Sequence, residues 1–525
     1  MADRGTPDWL IIGSGINALV AAAMLGRKGA SAHVIERNDV IGGCIRSGQI
    51  TDPGFTHDLM AATFVLFITS PAFAELGEDL ARHGLEFCNG ASPTGVLRPD
   101  GSSLILTTDR DANVARLEAL AAGDGTAYRA EVEHVEQNAE LLFGILGGPA
   151  WSGATAKLLG KSMFKKGGTR KLAATLGAGL IPARGWLETR FEGALLRDLL
   201  APWCLHAGLS PEASYSGGMA QVIAFALEAA GAPVVKGGAG AILDAFRALI
   251  EEQGGQITTG ADVDRIVVTK GKATGVLVGG EHHGAKKGVI ASVAPGQLYG
   301  RLLDKDAAGD KRTAAKQYRH GKGNFQLHYA LNGQPDWGDA ALGQVALLHL
   351  TPGLDGVSKA TNEAERGMLP AVPTICVGQP AVLDPTRAAD GNAILWCQLP
   401  EAPRVIKGDA AGQIDPGDGT WTEALREGYA DRVEGILRAH IKNFDAIKGT
   451  RVAYSPADLE AMNINLVGGD PYGGATTLDQ FFLFRPFADT VNHRTHIKGL
   501  HHIGASTHPG PGLAGGSGFL VAQEV

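Results

Sequence analysis

The stretch that decides the fold is DWLIIGSGINALVAAAMLGRKGASAHVIE, residues 8–36. Its first apolar run, residues 8–13, contains β-branched side chains and is typical of a buried parallel strand. Small and apolar residues then recur at helical spacing up to Arg27, and a second apolar run ends in the acid Glu36. The order strand, glycine turn, helix, strand predicts a β–α–β unit, and with it the α/β fold class.

The turn inside this unit, Gly13 to Ala18, matches the pattern GxGxxA of dinucleotide-binding folds. Gly13 permits the tight turn, Gly15 lets a pyrophosphate approach the backbone, and Ala18 keeps the helix close to the strand. Free N–H groups at the helix start, where Asn17 lies, are predicted to hold the phosphate. Glu36 is placed to accept hydrogen bonds from ribose hydroxyls. A chance strand–turn–helix is the alternative for the pattern alone, and the flanking strand and acid disfavour it.

A second glycine pair, Gly42 and Gly43, follows soon after the acid. A nicotinamide-binding domain does not need this pair. A second close approach to the backbone suits a ligand that continues past the pyrophosphate, namely FAD. Arg37 and Arg46 are candidates to meet the phosphate charge, and a solvated surface arginine is the alternative for each.

The composition limits the classes of function. The chain has 525 residues with 47 Lys and Arg against 55 Asp and Glu, a net charge of −8 that argues against general nucleic-acid binding. Residues 1–9 are polar and partly acidic, so we expect no secretory signal and a cytoplasmic location. The five cysteines are scattered without a CxxC pair, so we expect no disulfide framework, no metal site and no dithiol redox centre.

A second glycine-rich loop, GASTHPGPGLAGGSG, occupies residues 504–518 near the other end of the chain. It follows a strand-like run at 498–503 and precedes an apolar helix start at 519–522. Glycines and prolines in this position predict unusual backbone dihedrals and many free N–H groups. A plain glycine-rich loop is the alternative, and the N-terminal pattern disfavours it.

Together these motifs resemble the phytoene desaturase and amine oxidase superfamily of flavoproteins. Further stretches resemble its phytoene-dehydrogenase-related branch: residues 53–55, 236–240 and 478–481, and Arg485 with Pro486. The resemblance covers nearly the whole chain. Cys44 stands where many amine oxidases carry arginine after the paired glycines, and this departure puts an amine oxidase in doubt.

The resemblance implies a Rossmann-like FAD-binding domain that is discontinuous in sequence, with an α+β substrate-binding domain between its parts. The FAD-binding domain would comprise residues 1–64, 236–300 and 490–525, and the substrate-binding domain residues 65–235 and 301–489. FAD is expected to be noncovalent. The resemblance implies these further cofactor residues: Val263 through its backbone at the adenine, Gly504, Ala505, Ser506 and Gly512 in the loop, and Leu513 and Ala514 with helix N-terminal N–H groups at the pyrimidine end of the flavin.

Local patterns agree with this division. An amphipathic helix is predicted at 241–253, strands at 256–259, 263–268, 273–278 and 288–295, and short strands at 323–331, 344–350 and 393–399. Residues 105–230 are predicted to be mainly helical.

The sequence offers four candidate catalytic residues. His508 lies inside the C-terminal loop and His57 near the expected flavin face, and a structural histidine is the alternative for both. Tyr472 and Arg485 flank a glycine- and phenylalanine-rich segment, residues 468–487, that we expect to line the far wall of the pocket. Its phenylalanines predict an apolar substrate, with an ordinary core as the alternative.

A basic stretch without acids, residues 157–171, is interleaved with apolar side chains. It is a candidate for peripheral contact with an anionic membrane surface, and a solvated face is the alternative.

Three functions remain open at this point. The first is a flavin-dependent dehydrogenase or oxidase that takes a hydride from a small apolar or cyclic substrate to form a C=C bond, with O2, a quinone or another electron acceptor. The second is an amine oxidase that forms an imine. The third is a non-catalytic, escort-type binding protein, which the full set of phosphate glycines disfavours. The oligomeric state is left open.

Overall fold

Five parallel strands form the sheet that the opening sequence predicts, in a computed structural model that describes residues 5–525 except the side chain of Lys166. Their order across the sheet is Leu500–Ile503, Gly288–Ser292, Trp9–Ile12, Ala32–Ile35 and Gln256–Thr258. Every neighbouring pair runs parallel. Since the carboxyl ends of parallel strands meet at one edge of a sheet, Gly13, Glu36 and Gly504 lie at the same edge.

The helix Ile16–Arg27 packs against this sheet and is covered by the C-terminal helix, Gly516–Glu524. Every residue of the first helix up to Leu25 is buried. A Cβ atom added at Gly518 would lie 1.8 Å from the carbonyl oxygen of Asn17, so only glycine fits at this crossing. The two ends of the chain therefore meet behind the glycine turn.

The molecule also contains a seven-stranded, mostly antiparallel sheet, which we call the large sheet. Its strands lie in the order Lys448–Tyr454, Gly323–Leu331, Ala393–Ala402, Ile375–Gly378, Leu347–Leu350, Thr94–Leu97 and Ser103–Leu106. Phe325, Leu327 and Tyr329 pack on the helix Glu423–His440 in one apolar core. Because side chains alternate along a strand, the residues between them turn to the other face of the sheet.

Shorter elements complete the fold. The small pairings are Ser47–Gly48 with His57–Asp58, Phe87–Cys88 with Val234–Val235, Met368–Leu369 with Gly408–Asp409, and the three-stranded sheet Val263–Thr269, Lys272–Val278 and Glu281–Gly284. The other α-helices are Val65–Ile68, Pro71–Arg82, Arg110–Leu120, Asp124–Gly147, Gly153–Lys166, Thr169–Ala178, Ala183–Arg190, Ala194–Leu200, Ser216–Ala230, Gly240–Glu252, Pro295–Gln297, Lys305–Ala308, Lys311–Gln317, Leu354–Glu365, Pro380–Leu383, Phe444–Ile447 and Pro456–Met462. A 3₁₀ helix spans Ala201–Ala207.

The α/β class and the Rossmann-like sheet are confirmed. The helix Gly240–Glu252 and the strands that follow it lie where the sequence predicts them. The sequence patterns did not predict the strands Thr94–Leu97, Ser103–Leu106 and Lys448–Tyr454, which join the large sheet from distant parts of the chain.

The strands of the two sheets come from separate segments. The strands of the parallel sheet all fall within residues 1–64, 236–300 and 490–525, and those of the large sheet within 65–235 and 301–489. This segregation supports the two-domain division, which we retain as a proposal.

The basic stretch 157–171 runs through two helices at the surface. Lys161 and Lys165 both pair with Glu140, so part of the positive charge is neutralised by a neighbouring helix. The side chain of Lys166 lies outside the described part. Among the helices described, none has both the length and the apolar character needed to cross a membrane. Contact of this stretch with a membrane surface stays a prediction.

Candidate functional site

One continuous cavity of about 1040 Å³ runs from the glycine turn at the edge of the parallel sheet to one face of the large sheet. We call these its glycine end and its amide end. Most of the predicted cofactor residues line it: Gly13, Gly15, Asn17, Glu36, Arg37, Gly42, Gly43, Val263, Gly504, Ala505, Ser506, Gly512, Leu513 and Ala514. Their binding roles remain predictions.

Gly13 and Gly43 are required by the packing of the protein itself, whereas Gly15 is not. Gly13 has φ +85°, and a Cβ added to it would lie 2.9 Å from the carbonyl oxygen of Ser292, so the protein's own packing demands glycine. Gly43 is held against Gly15, where its added Cβ would lie 3.2 Å from the Gly15 Cα. A Cβ added at Gly15 itself would meet nothing within 4 Å. The packing of the protein therefore does not require glycine at position 15, but a ligand that touches the backbone there would require it.

The start of the helix Ile16–Arg27 supplies donors to this space. Ile16 and Asn17 are its first residues, and their N–H groups have no intrahelical acceptor. Ala18 does not line the cavity; it is fully buried and donates its N–H to the Gly15 carbonyl oxygen at 2.8 Å. The positive end of the helix dipole favours an anion at this point.

Glu36 is held in place by donors from two sides. One carboxylate oxygen accepts the Ser14 N–H at 2.9 Å and the Ser14 hydroxyl at 2.7 Å, and the other accepts the Asn38 N–H at 2.9 Å. A carboxylate has about four acceptor positions, so it can still receive a ribose hydroxyl.

Charged side chains beyond Glu36 cluster at the same end. Arg37 lies 3.7 Å from Asp262, and Arg301 donates to the carbonyl oxygen of Val263 at 3.1 Å. Arg46 lies outside the cavity wall, with one long contact of 3.5 Å to the carbonyl oxygen of Met462.

The C-terminal loop is tied to the first helix through Ser517. Its hydroxyl accepts the N–H of Gly504 at 2.9 Å and donates to the side-chain oxygen of Asn17 at 2.8 Å. The last helix begins at Gly516 rather than near residue 519. Leu513 and Ala514 precede it, so their N–H groups belong to the loop and not to the first turn of the helix.

Arg485 is a buried clamp between two segments of the cavity wall. Its guanidinium donates to the carbonyl oxygen of Ala505 at 3.0 and 2.8 Å and to the carbonyl oxygen of Tyr472, and it stacks over Phe481 at 5.2 Å. It does not line the cavity. Tyr472 does, and its hydroxyl donates to the carbonyl oxygen of Leu205 at 2.5 Å.

Neither predicted histidine lines the cavity. The ring of His508 bonds the carbonyl oxygen of Gly148 at 2.7 Å, which holds a turn that does line it. The ring of His57 bonds the Thr51 hydroxyl at 2.7 Å, and burial lowers the pKa of His57 to about 4. His508 therefore supports a segment of the cavity wall, whereas neither His57 nor its partner Thr51 lines the cavity.

The amide end is lined by residues that the sequence predictions did not include. Asn324, Gln326 and Gln398 project from the large sheet, and His206 lies at the end of the 3₁₀ helix. Burial lowers the pKa of His206 to about 4, so the ring is neutral near pH 7. The charged residues that line the described cavity are Glu36, Arg37, Asp262 and Arg301, all at the glycine end.

Comparisons with known proteins agree with this geometry. Residues 11–80 match the family of NAD(P)-binding Rossmann-like domains. The chain is 27% identical over 557 residues to mouse pyridine nucleotide-disulfide oxidoreductase domain-containing protein 2, covering 99% of this chain and 93% of that protein. It is 27% identical over 536 residues to phytoene desaturase (neurosporene-forming) of Cereibacter sphaeroides, covering 99% and 94%. The chain is thus similar in sequence to these proteins, among them a phytoene desaturase, over nearly its full length.

The fold of the chain is also that of a solved amine oxidase. Cyclohexylamine oxidase from Brevibacterium oxydans aligns over 99% of each chain with a TM-score of 0.58 at 16% identity, a likeness that shows the fold. The relatives named above support the interpretation of the chain as an oxidoreductase.

A pattern for the amide end is present in the sequence. In the strand Gly323–Leu331, the polar residues Asn324, Gln326 and His328 alternate with apolar ones, the period of a strand with two different faces. The strand itself is predicted from its composition. The pattern alone does not show which face of the strand lines the cavity, because that depends on the pairing of distant strands.

Proposed function

We propose that the chain is an FAD-dependent dehydrogenase or oxidase that forms a carbon–carbon double bond in an uncharged, largely apolar substrate. The observation that carries the proposal is the division of one cavity into two chemically different ends. The glycine end offers a carboxylate, free backbone N–H groups and close backbone approach. The amide end is lined by apolar and neutral polar side chains.

FAD fits the residues of the glycine end. Gly15 leaves room where a pyrophosphate would touch the backbone, and Ile16 and Asn17 present unpaired N–H groups to it. Glu36 would accept the ribose hydroxyls, and Val263 would pack on the adenine. The loop from Gly504 to Ala514 would hold the flavin ring. When bound, FAD supplies the acceptor for a hydride from a substrate C–H bond.

The neutral amide end favours carbon–carbon over amine chemistry. In the described lining, no carboxylate lies at this end to pair with a protonated amine. Met219, Val222, Ile223 and Phe225 form an apolar wall on the helix Ser216–Ala230, which suits a hydrocarbon body. An amine oxidase remains the second candidate because the fold is shared with one.

We assign positioning roles to two of the predicted catalytic residues. Arg485 joins the carbonyl oxygens of Ala505 and Tyr472, and His508 holds the turn at Gly148. Both would keep the flavin loop and the substrate wall at a fixed separation. Of the four candidates, Tyr472 alone lines the cavity in the described chain, and its hydroxyl is committed to a backbone carbonyl.

The test is the FAD affinity of Glu36→Ala. Losing the ribose hydrogen bonds should cost about 1–3 kcal/mol, or roughly five- to 150-fold in affinity. Glu78→Ala, an exposed glutamate on the helix Pro71–Arg82, is the matched control and should bind FAD as the native protein does. Equal affinity of Glu36→Ala and the native protein, or native protein purified without flavin, would remove the assignment.

A second measurement separates the two reaction types. On anaerobic mixing, uncharged apolar candidates such as polyenes should bleach the flavin, and amines should leave it oxidised. Release of aldehyde or ammonia from an amine would favour the second candidate.

A further inference from the structure

The large sheet presents a row of polar side chains to the cavity. Gln326 lies directly opposite Gln398 on the neighbouring strand, Gln398 opposite Cys376, and Cys376 opposite His349. Directly paired residues point to the same face of a sheet, so these four side chains cross four strands in one line. Asn324 lies two residues before Gln326 and therefore on the same face.

Three of these side chains, Asn324, Gln326 and Gln398, line the cavity, and we call them the amide row. Asn324 is 1% exposed and Gln326 is 2% exposed, and their side-chain oxygens have no hydrogen-bond partner. No side-chain hydrogen bond of Gln398 is found within residues 5–525 either. Buried amides are almost always paired, and an unpaired one costs stability. The amide row is therefore built to receive its partner from the cavity.

The wall beside the amide row is also neutral. The Nε2 atoms of His206 and His349 lie 3.1 Å apart, and Trp203 packs on both rings with centroid distances of 4.6 and 4.8 Å. Burial lowers the pKa of each imidazole, that of His206 to about 4. The amide end thus offers donors and acceptors without charge.

We propose that the substrate carries a hydroxyl group that binds to the amide row while its apolar body lies along the helix Ser216–Ala230. A primary amide presents an acceptor oxygen and donor N–H groups, and a hydroxyl both donates and accepts, so the two satisfy each other. A ketone or an ether would leave the unpaired oxygens of Asn324 and Gln326 without a donor. A carboxylate or an ammonium group would be buried without a counter-charge. The proposal rests on the proposed function in taking this end of the cavity as the substrate side.

Metal binding is the alternative interpretation of the cluster formed by His206, His349 and Cys376. Ligand atoms of His206, His349 and Cys376 lie within 4.8 Å of one another. The Nε2 atoms of the two histidines already face each other at hydrogen-bond distance. Burial raises the pKa of the Cys376 thiol to about 12, and no cation among the described residues lowers it. A hydrogen-bonding role is favoured, and a bound metal is an outcome of the test.

The probes are farnesol and α-farnesene, which share an isoprenoid body and differ in the hydroxyl. Binding to the flavin-loaded protein is measured by titration calorimetry, and flavin and zinc contents are measured on the same preparation. The native protein should prefer farnesol by about 10-fold or more, since two or more hydrogen bonds contribute roughly three- to tenfold each. Gln326→Leu and Gln398→Leu should each weaken farnesol by about three- to tenfold, and α-farnesene by less than about twofold.

Gln413→Leu is the control, because Gln413 is exposed and is not among the residues that line the cavity. No preference for farnesol in the native protein overturns the proposal, as does an equal loss of both probes in the two variants. Stoichiometric zinc in the native protein overturns it in favour of the metal site. A farnesol preference that Gln326→Leu abolishes, in a preparation that binds no flavin, supports the amide row and removes the proposed oxidoreductase function instead.

Discussion

The two ends of the cavity differ in the groups that they present to a ligand. At the glycine end the chain removes side chains, so that backbone atoms face the ligand, and the polar groups that remain are held by the protein: Glu36 accepts three hydrogen bonds from Ser14 and Asn38. At the amide end the chain buries Asn324 and Gln326, whose side-chain oxygens have no partner among the described residues. At the glycine end the polar side chain is thus already held and backbone N–H groups await the ligand, whereas at the amide end the side chains themselves await it.

This difference has a thermodynamic consequence. A change at the glycine end should reduce ligand binding with little effect on folding where the glycine faces open space. A change at the amide end should reduce ligand selectivity while folding becomes no worse, because an unpaired buried amide destabilises the native state. Mutations at the two ends should therefore have opposite signatures in stability and binding.

The largest effect is expected at Arg485, which joins the C-terminal loop at Ala505 to the segment around Tyr472. Arg485→Met would leave the carbonyl oxygens of Ala505 and Tyr472 without their charged donor, and should lower the free energy of unfolding by about 3–5 kcal/mol. Urea unfolding followed by far-ultraviolet circular dichroism measures this loss. Arg494→Met is the matched control: this arginine is 64% exposed and pairs with Glu524, so its loss should cost less than about 1 kcal/mol. Similar losses in both variants would show that the two ends do not depend on the clamp.

Gly15→Val tests the glycine end alone. A Cβ at this position meets open space, so folding should be retained, while the side chain would displace the pyrophosphate from the helix start. Losing two charge-assisted hydrogen bonds at about 1.5–3 kcal/mol each should weaken FAD by at least about 150-fold. Fluorescence titration with FAD measures this, and thermal unfolding of the flavin-free protein checks the fold. Gly435→Ala, on an exposed helix face with no atom near the added Cβ, is the control and should leave FAD binding unchanged. Native affinity in Gly15→Val would contradict the assignment of this turn.

The glycine end could be read from the sequence because its signal is local. GxGxxA, the acid Glu36 and the pair Gly42–Gly43 stand within one β–α–β unit and its flank. The amide end could not be read in the same way. Gln326 and Gln398 become neighbours only through the pairing of Gly323–Leu331 with Ala393–Ala402, and a shift of either strand by one residue would turn its own glutamine to the opposite face.

The catalytic candidates show the same limit. His57 and His508 are predicted from their place beside motifs, yet their rings bond the Thr51 hydroxyl and the Gly148 carbonyl oxygen. His206, which does line the cavity, belongs to a segment without any motif and is brought there by the bonds of Tyr472 and Thr476 to the 3₁₀ helix.

A matched pair of glutamines sharpens the contrast between partnered and unpartnered amides. Gln326 and Gln379 are both 2% exposed, but Gln379 donates to the carbonyl oxygens of Leu342 and Val345 and accepts from Trp337. Gln379→Leu should lower the free energy of unfolding by about 2–4 kcal/mol, because three buried groups lose their partner. Gln326→Leu should leave it unchanged or raise it by up to about 2 kcal/mol. Urea unfolding of both variants decides, and an equal loss in both would mean that the amide row is partnered in solution.

The smallest expected effect is an absence of pH dependence at the amide end. Burial lowers the pKa of His206 to about 4, below its ordinary value near 6.5, so the ring stays neutral from pH 6 to 8. For an uncharged substrate, the rate of anaerobic flavin reduction should then change by less than about twofold across this range. An amine would instead react up to about tenfold faster per pH unit as it loses its proton.

The same lowered pKa limits the usable range of that measurement. The unfolded chain binds a proton to His206 below about pH 6.5 and the folded chain does not until about pH 4, so stability falls as the pH drops through this window, by up to about 1.4 kcal/mol per pH unit. Rates are therefore compared at pH 6 and above, where the fold is retained. A rate profile with an apparent pKa between 6 and 7 that vanishes in His206→Gln would show that this imidazole titrates in the open cavity. The amide end would then carry charge during turnover, and the contrast with the glycine end would be lost.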